Sequence, residues 1–136
     1  MPQLISISAE ANYGLGSTIH LDSARGNVKV VFHDDGEKSW FTSLENAGRG
    51  YTEIDTVPIY LVADILTSGK NAPMLAQTAW SRGSKQALLL INREPCALFD
   101  FATRCGYSCS VFDMPVGNWR RHHQAWNKEM LNIFGY

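Results

Sequence analysis

The sequence predicts an α/β or α+β fold. The expected form is a single small domain with an N-terminal antiparallel hairpin or meander, then helices, a β-α-β unit and a C-terminal amphipathic helix. Three observations carry that expectation. Apolar and polar residues alternate through 17–44, and the unbroken apolar run Ala87–Ile91 suits a strand covered on both faces. Segments 56–69, 72–82 and 117–134 accept helical spacing.

Taken in order, Gln3–Ser8 alternates and reads as an opening strand, and 12–16 carries glycines and reads as a loop. Ser17–Asp22 and Asn27–His33 form a hairpin across Ser23, Ala24, Arg25 and Gly26. With Asp22 opposite Asn27, Ile19 and Leu21 share a face with Val28, Val30 and Phe32. Thr18, His20, Lys29 and His33 take the other face, with Val31 as its apolar member. Asp34, Asp35 and Gly36 supply a tight turn, and Lys38–Leu44 continues as a third strand. Residues 45–51 are a glycine-bearing connection rather than a domain boundary, since roughly fifty residues without disulfides would be marginal by themselves.

Thr56 can cap a helix with Pro58 in its first turn and Gly69 as its stop. Its apolar residues surround most of the circumference, which implies burial. A second helix is expected from Ala72 to Arg82, with Leu75, Ala76, Ala79 and Trp80 on its apolar side. After the strand Ala87–Ile91, Asn92 is placed as an N-cap and Glu94 and Pro95 in a first turn. That helix runs to about Cys105, with Asp100 and Arg104 as an i,i+4 pair and Gly106 as its left-handed stop. A strand over Tyr107–Met114 would then complete a parallel crossover unit. The last helix begins near Gly117 or Asn118 and ends near Phe134, with Trp119, Trp126, Met130 and Ile133 along one face.

Composition narrows the function. The 136 residues are 45% hydrophobic, enough for a core without metal or disulfide. A formal charge of −1 argues against a globally basic nucleic-acid binder, though it leaves a local patch open. No run of 18 apolar residues occurs, and the N-terminus lacks the charged and apolar regions of a signal peptide. A cytoplasmic location and no membrane partner are the default expectations. Cys96, Cys105 and Cys109 read as reduced structural thiols, being odd in number and without zinc or redox spacing.

The densest chemistry lies in Trp119, Arg120, Arg121, His122 and His123, with Trp126 a turn further on. At a helix N-terminus, amides, guanidinium groups and aromatics could hold a phosphate or a nucleic-acid backbone, with Arg82 and Lys85 as a second basic group. Adjacent histidines diverge on a helix, so His122 and His123 do not chelate one ion together. A metal site would draw on Asp113, Asp64 and Glu53, or on the pairs His20 with Asp22, which share a strand face, and His33 with Asp35, although Asp35 is explained by its turn. No G-x-S-x-G elbow, P-loop or dinucleotide fingerprint is present.

These observations rank an interaction or regulatory domain without catalytic activity first, needing no cofactor and acting on a protein partner or by self-association. A nucleic-acid or phosphate-binding accessory protein using Trp119–His123 comes second. A metal-dependent phosphoesterase or nuclease comes third.

Overall fold

The computed structural model describes residues 7–67, 73–108 and 120–124, and most of them lie in strands. In chain order these are β1 (Ile7–Tyr13), β2 (Thr18–Arg25), β3 (Val28–Asp35), β4 (Lys38–Asn46) and β5 (Tyr51–Leu61), then the short helix α1 (Val62–Thr67). There follow β6 (Met74–Trp80), β7 (Gln86–Ile91), β8 (Glu94–Asp100), β9 (Cys105–Ser108) and β10 (Arg120–Gln124). One sheet is the consecutive meander β2-β3-β4-β5, and the other has the order β1-β6-β7-β8-β9-β10. Neighbours are antiparallel except β9 and β10, which run parallel.

The two sheets face each other. Leu21, Val30, Phe32, Phe41, Val57 and Ile59 of the smaller sheet meet Ala76, Trp80, Ala87, Leu89, Ala97 and Phe99 of the larger. Phe41 stacks on Phe99 with ring centroids 5.2 Å apart, in the offset geometry aromatic pairs favour. Each large side chain so buried contributes about 1.5–3 kcal/mol. Hydrogen bonds tie the sheets together near their margins. Trp80 Nε1 donates to Ser23 Oγ at 2.9 Å, and Ser8 Oγ lies 2.8 Å from the same oxygen. Between β9 and β5, Ser108 Oγ donates to the Pro58 carbonyl. The second face of the larger sheet buries Ala79, Leu88, Leu90 and Leu98 with Tyr107 packed against them, so β7 is covered on both sides.

The described residues are thus nearly all β, which overturns the expected α/β or α+β class. Residues 56–61 end β5, and α1 keeps only one turn and a half of the expected helix. Thr52, Ile54, Thr56, Val57 and Ile59 are β-branched, and a helical wheel filled all round has the same composition as a strand buried on both faces. Pro58 is accommodated because β5 is an edge strand with a register shift beside Trp40. The expected helix 72–82 is likewise β6, where Ala76 and Trp80 face one core and Ala79 the other.

The β-α-β unit fails at its first residue. Asn92 and Arg93 have φ of 51° and 69°, the left-handed pair of a two-residue hairpin turn, so β8 returns antiparallel to β7. Asn92 Oδ1 accepts from the Leu75 amide at 2.8 Å instead of capping a helix. Asp100 Oδ1 accepts from the amides of Ala102 and Thr103 at 3.0 and 3.2 Å, which makes 101–104 a turn. Arg104 reaches Glu45 at 3.6 Å rather than Asp100. The C-terminal helix is contradicted at Arg120–Gln124, which is strand β10; the remainder of 109–136 lies outside the described residues.

Candidate functional site: the outer face of the four-stranded sheet

Turn chemistry sets this face. Gly26, with φ 59°, and Asn27 form a two-residue turn, so Arg25 pairs with Val28 and, further along, His20 pairs with His33. The β3–β4 turn is closed by Asp35 Oδ1, which accepts from the amides of Glu37 and Lys38 at 2.9 and 3.0 Å. Those two amides hold the Asp35 carboxyl below its ordinary pKa. Gly36 has φ 95°, and a Cβ there would lie 2.9 Å from the Gly16 carbonyl oxygen, so only glycine fits. With that turn fixed, His33 pairs with Trp40, and Trp40 with Pro58.

Because Leu21, Phe32, Phe41 and Val57 point inward, their neighbours point out. One outward row is His20, His33 and Trp40, and the next is Asp22, Val31, Thr42 and Thr56. His20 and His33 bring their Nδ1 atoms to 3.0 Å, with ring planes 80° apart. His33 also lies on Trp40, with centroids 4.6 Å apart. Thr42 and Thr56 share a hydroxyl contact of 3.0 Å, and Thr56 Oγ1 donates to Glu53 Oε1 at 2.9 Å. Lys29 closes one side, 3.8 Å from Asp22 Oδ2 and 4.3 Å from the centre of the Tyr51 ring.

Val31 and Thr42 are buried although they face outward, and they floor a cleft of about 200 Å³. His20, His33 and Trp40 form one wall, with Leu44 and Glu53 across from them. The cleft therefore offers an indole and imidazole surface, an apolar floor and one carboxylate. The hydrogen bond of each imidazole runs to the other ring, so the two side chains act as one paired unit on this face.

The other candidates separate. Asp22 shares the face of His20 yet turns to Lys29, and the Asp35 carboxylate accepts from the amides of its own turn, with His33 near enough only to add to its electrostatics. Asp64 is exposed in α1, and among the described residues no three His, Cys, Asp or Glu side chains gather to hold a metal. Cys96 and Cys105 are buried thiols in β8 and β9. Arg120, Arg121, His122 and His123 lie in β10 beside β9, which removes the helix N-terminus expected to cradle phosphate. Trp119, Trp126, Asp113 and Cys109 fall outside the described residues. Lys85 lines a separate open cleft with Arg25, Ser84 and Phe101, while Arg82 is exposed. No described helix is long and apolar enough to cross a membrane.

Trp40 and the histidine pairing are the residues the sequence reading missed as a group. The Gly-Asn turn was the available signal, since it alone fixes His20 opposite His33.

Fold and face together define a small β-sandwich with a solvent-facing cleft on its four-stranded sheet. The chain belongs to the family described as uncharacterized protein conserved in bacteria (DUF2251), whose model matches residues 12–135. A protein of Haemophilus influenzae, described as uncharacterized, is 33% identical over 108 residues, covering 78% of this chain. The chain spans 65% of that relative's length. No solved structure matches.

Proposed function

We propose that this chain is a non-catalytic binding module that takes a protein partner on the outer face of its four-stranded sheet. The observation that supports it is the row of exposed His20 and half-buried His33 and Trp40 beside an apolar-floored cleft. A solvated sheet face has no need of a half-buried tryptophan, whereas semi-exposed aromatics flanked by polar groups are typical of interface centres. Size favours a protein over a metabolite. Small-molecule pockets run to about 300–1,000 Å³. A cleft of about 200 Å³ accepts a single protruding side chain. The partner is expected to insert one apolar side chain and to set a basic group near Glu53.

The test replaces Trp40 with a photo-crosslinking aromatic and irradiates the full chain in bacterial extract. One discrete protein adduct is expected, suppressed by excess unmodified chain and not by excess Trp40→Ala. The same crosslinker at Leu66, 52% exposed on α1, should not form it. Competition by Trp40→Ala equal to that of the unmodified chain overturns the reading, as does the absence of a discrete adduct.

A further inference from the structure

We infer that His20 and His33 together bind one divalent transition-metal ion through their Nδ1 atoms. Two nitrogens on one ion at bond lengths of about 2.0–2.1 Å are about 2.9 Å apart when the angle at the metal is a right angle, and about 3.3–3.4 Å apart when it is tetrahedral. The observed separation is 3.0 Å, within about 0.1 Å of the right-angle value. Square-planar or octahedral ions, Cu²⁺ and Ni²⁺, match this span once the rings turn so that both lone pairs converge beside the line joining the nitrogens, and Zn²⁺ requires the rings also to part by about 0.3–0.4 Å.

The setting is preorganised. The two residues are directly paired on adjacent strands, so the backbone fixes the distance between their Cα atoms. Trp40 lies against the His33 ring and limits its rotation. In the neutral pair one Nδ1 carries hydrogen and donates to the other. When an ion binds beside that contact, the donor ring moves its hydrogen to Nε2 and the rings turn so that both Nδ1 lone pairs face the metal, and no proton leaves the neutral pair. His20 is exposed, so the remaining coordination positions are open to water or to a donor from outside the chain. The inference shares both histidines with the partner surface but does not rest on it, because the ion needs neither the apolar floor nor the indole as a ligand.

Cu²⁺ and Ni²⁺ titrations of the full chain, followed by calorimetry and by the nitrogen splitting in the Cu²⁺ paramagnetic resonance spectrum, test it. One ion per chain with two coordinated imidazoles is expected. His20→Ala and His33→Ala should each weaken binding more than about tenfold, the scale that even outer-shell losses reach. A His122→Ala, His123→Ala double variant should bind as the unmodified chain does. Trp40→Ala should keep the ion while failing to compete for the partner adduct, which separates failure of this inference from failure of the binding reading. Far-ultraviolet dichroism confirms that each variant is folded. No binding by the unmodified chain, or binding that survives His20→Ala, overturns the inference.

Discussion

Tyr60 donates its phenolic hydrogen to Oδ2 of Asp34 at 2.5 Å, while its oxygen lies 2.7 Å from the hydroxyl of Tyr13. Asp34 is fully buried, and its other oxygen accepts from the Gly36 amide at 2.8 Å. The chain of groups therefore links β1, β3 and β5 across the sandwich. Tyr60→Phe removes the central link and strands both a carboxylate oxygen and a phenol. A loss of about 2–3 kcal/mol is expected, the cost of unpaired buried polar groups with one charged. Urea unfolding should show the midpoint falling at unchanged slope, and an unmoved midpoint would refute the linkage.

The same two phenols set an alkaline limit. Burial is the first cause that raises both above their ordinary value of 10.0, with Asp34 adding to it. A raised folded-state value means that the contribution is whole below pH 10 and shrinks as pH climbs beyond it. Stability measured from about pH 9 to about pH 11 should drop. The drop should be smaller in Tyr60→Phe, which has one such group fewer.

Gly106 in β9 sits where no side chain fits. A Cβ there would lie 2.9 Å from Phe99 Cε1, 3.0 Å from Asp55 Oδ2 and 3.1 Å from Val57 Cγ1. Gly106→Ala is expected to cost about 1–3 kcal/mol by overpacking. Gly83→Ala meets nothing within 4 Å and should be near neutral, so equal melting temperatures for the two variants would contradict the packing described.

Arg93 holds φ 69° in the β7–β8 turn, a conformation that costs a side-chain-bearing residue about 1–2 kcal/mol. Arg93→Gly removes that cost and adds about 0.5–1 kcal/mol of chain entropy on unfolding. The balance favours the variant by about 0.5–1 kcal/mol, readable as a rise in denaturation midpoint. Arg93→Val should move it the opposite way.

The meander was legible in the sequence because its turns are chemically marked. Asp34-Asp35-Gly36 located the β3–β4 turn, and alternation assigned Leu21, Val30 and Phe32 to one face. The β2–β3 register was offset, with Asp22 facing Val31 instead of Asn27. The offset amounts to four positions, an even number, so the faces survived and only the partners changed. That change hid the His20–His33 contact. Beyond residue 50 the signal fails for a different reason. Residues 55–59 of β5, and most of β6 and β7, are buried on both sides, so neither the period of two nor that of 3.6 stands out. Asn92 is ambiguous by its chemistry, since one residue type serves both helix caps and left-handed turns. Trp40 was visible as an aromatic in a strand, but its place beside His33 depends on pairing that no single segment encodes.

The pairing of β1 with β6 joins Tyr13 to Met74 and Ala11 to Ala76, whereas β2, β3 and β4 each pair with the next strand in the chain. During synthesis the meander has all its partners before β6 leaves the ribosome, and β1 must wait. Nearby hairpins close quickly and distant pairings slowly. Pulse-labelled hydrogen exchange during refolding should therefore protect the amides of β3 and β4 before those of β1, and the reverse order would refute it. Until β6 arrives, the apolar inner side of the early meander is uncovered, and that interval is when a nascent chain of this family is most exposed to aggregation.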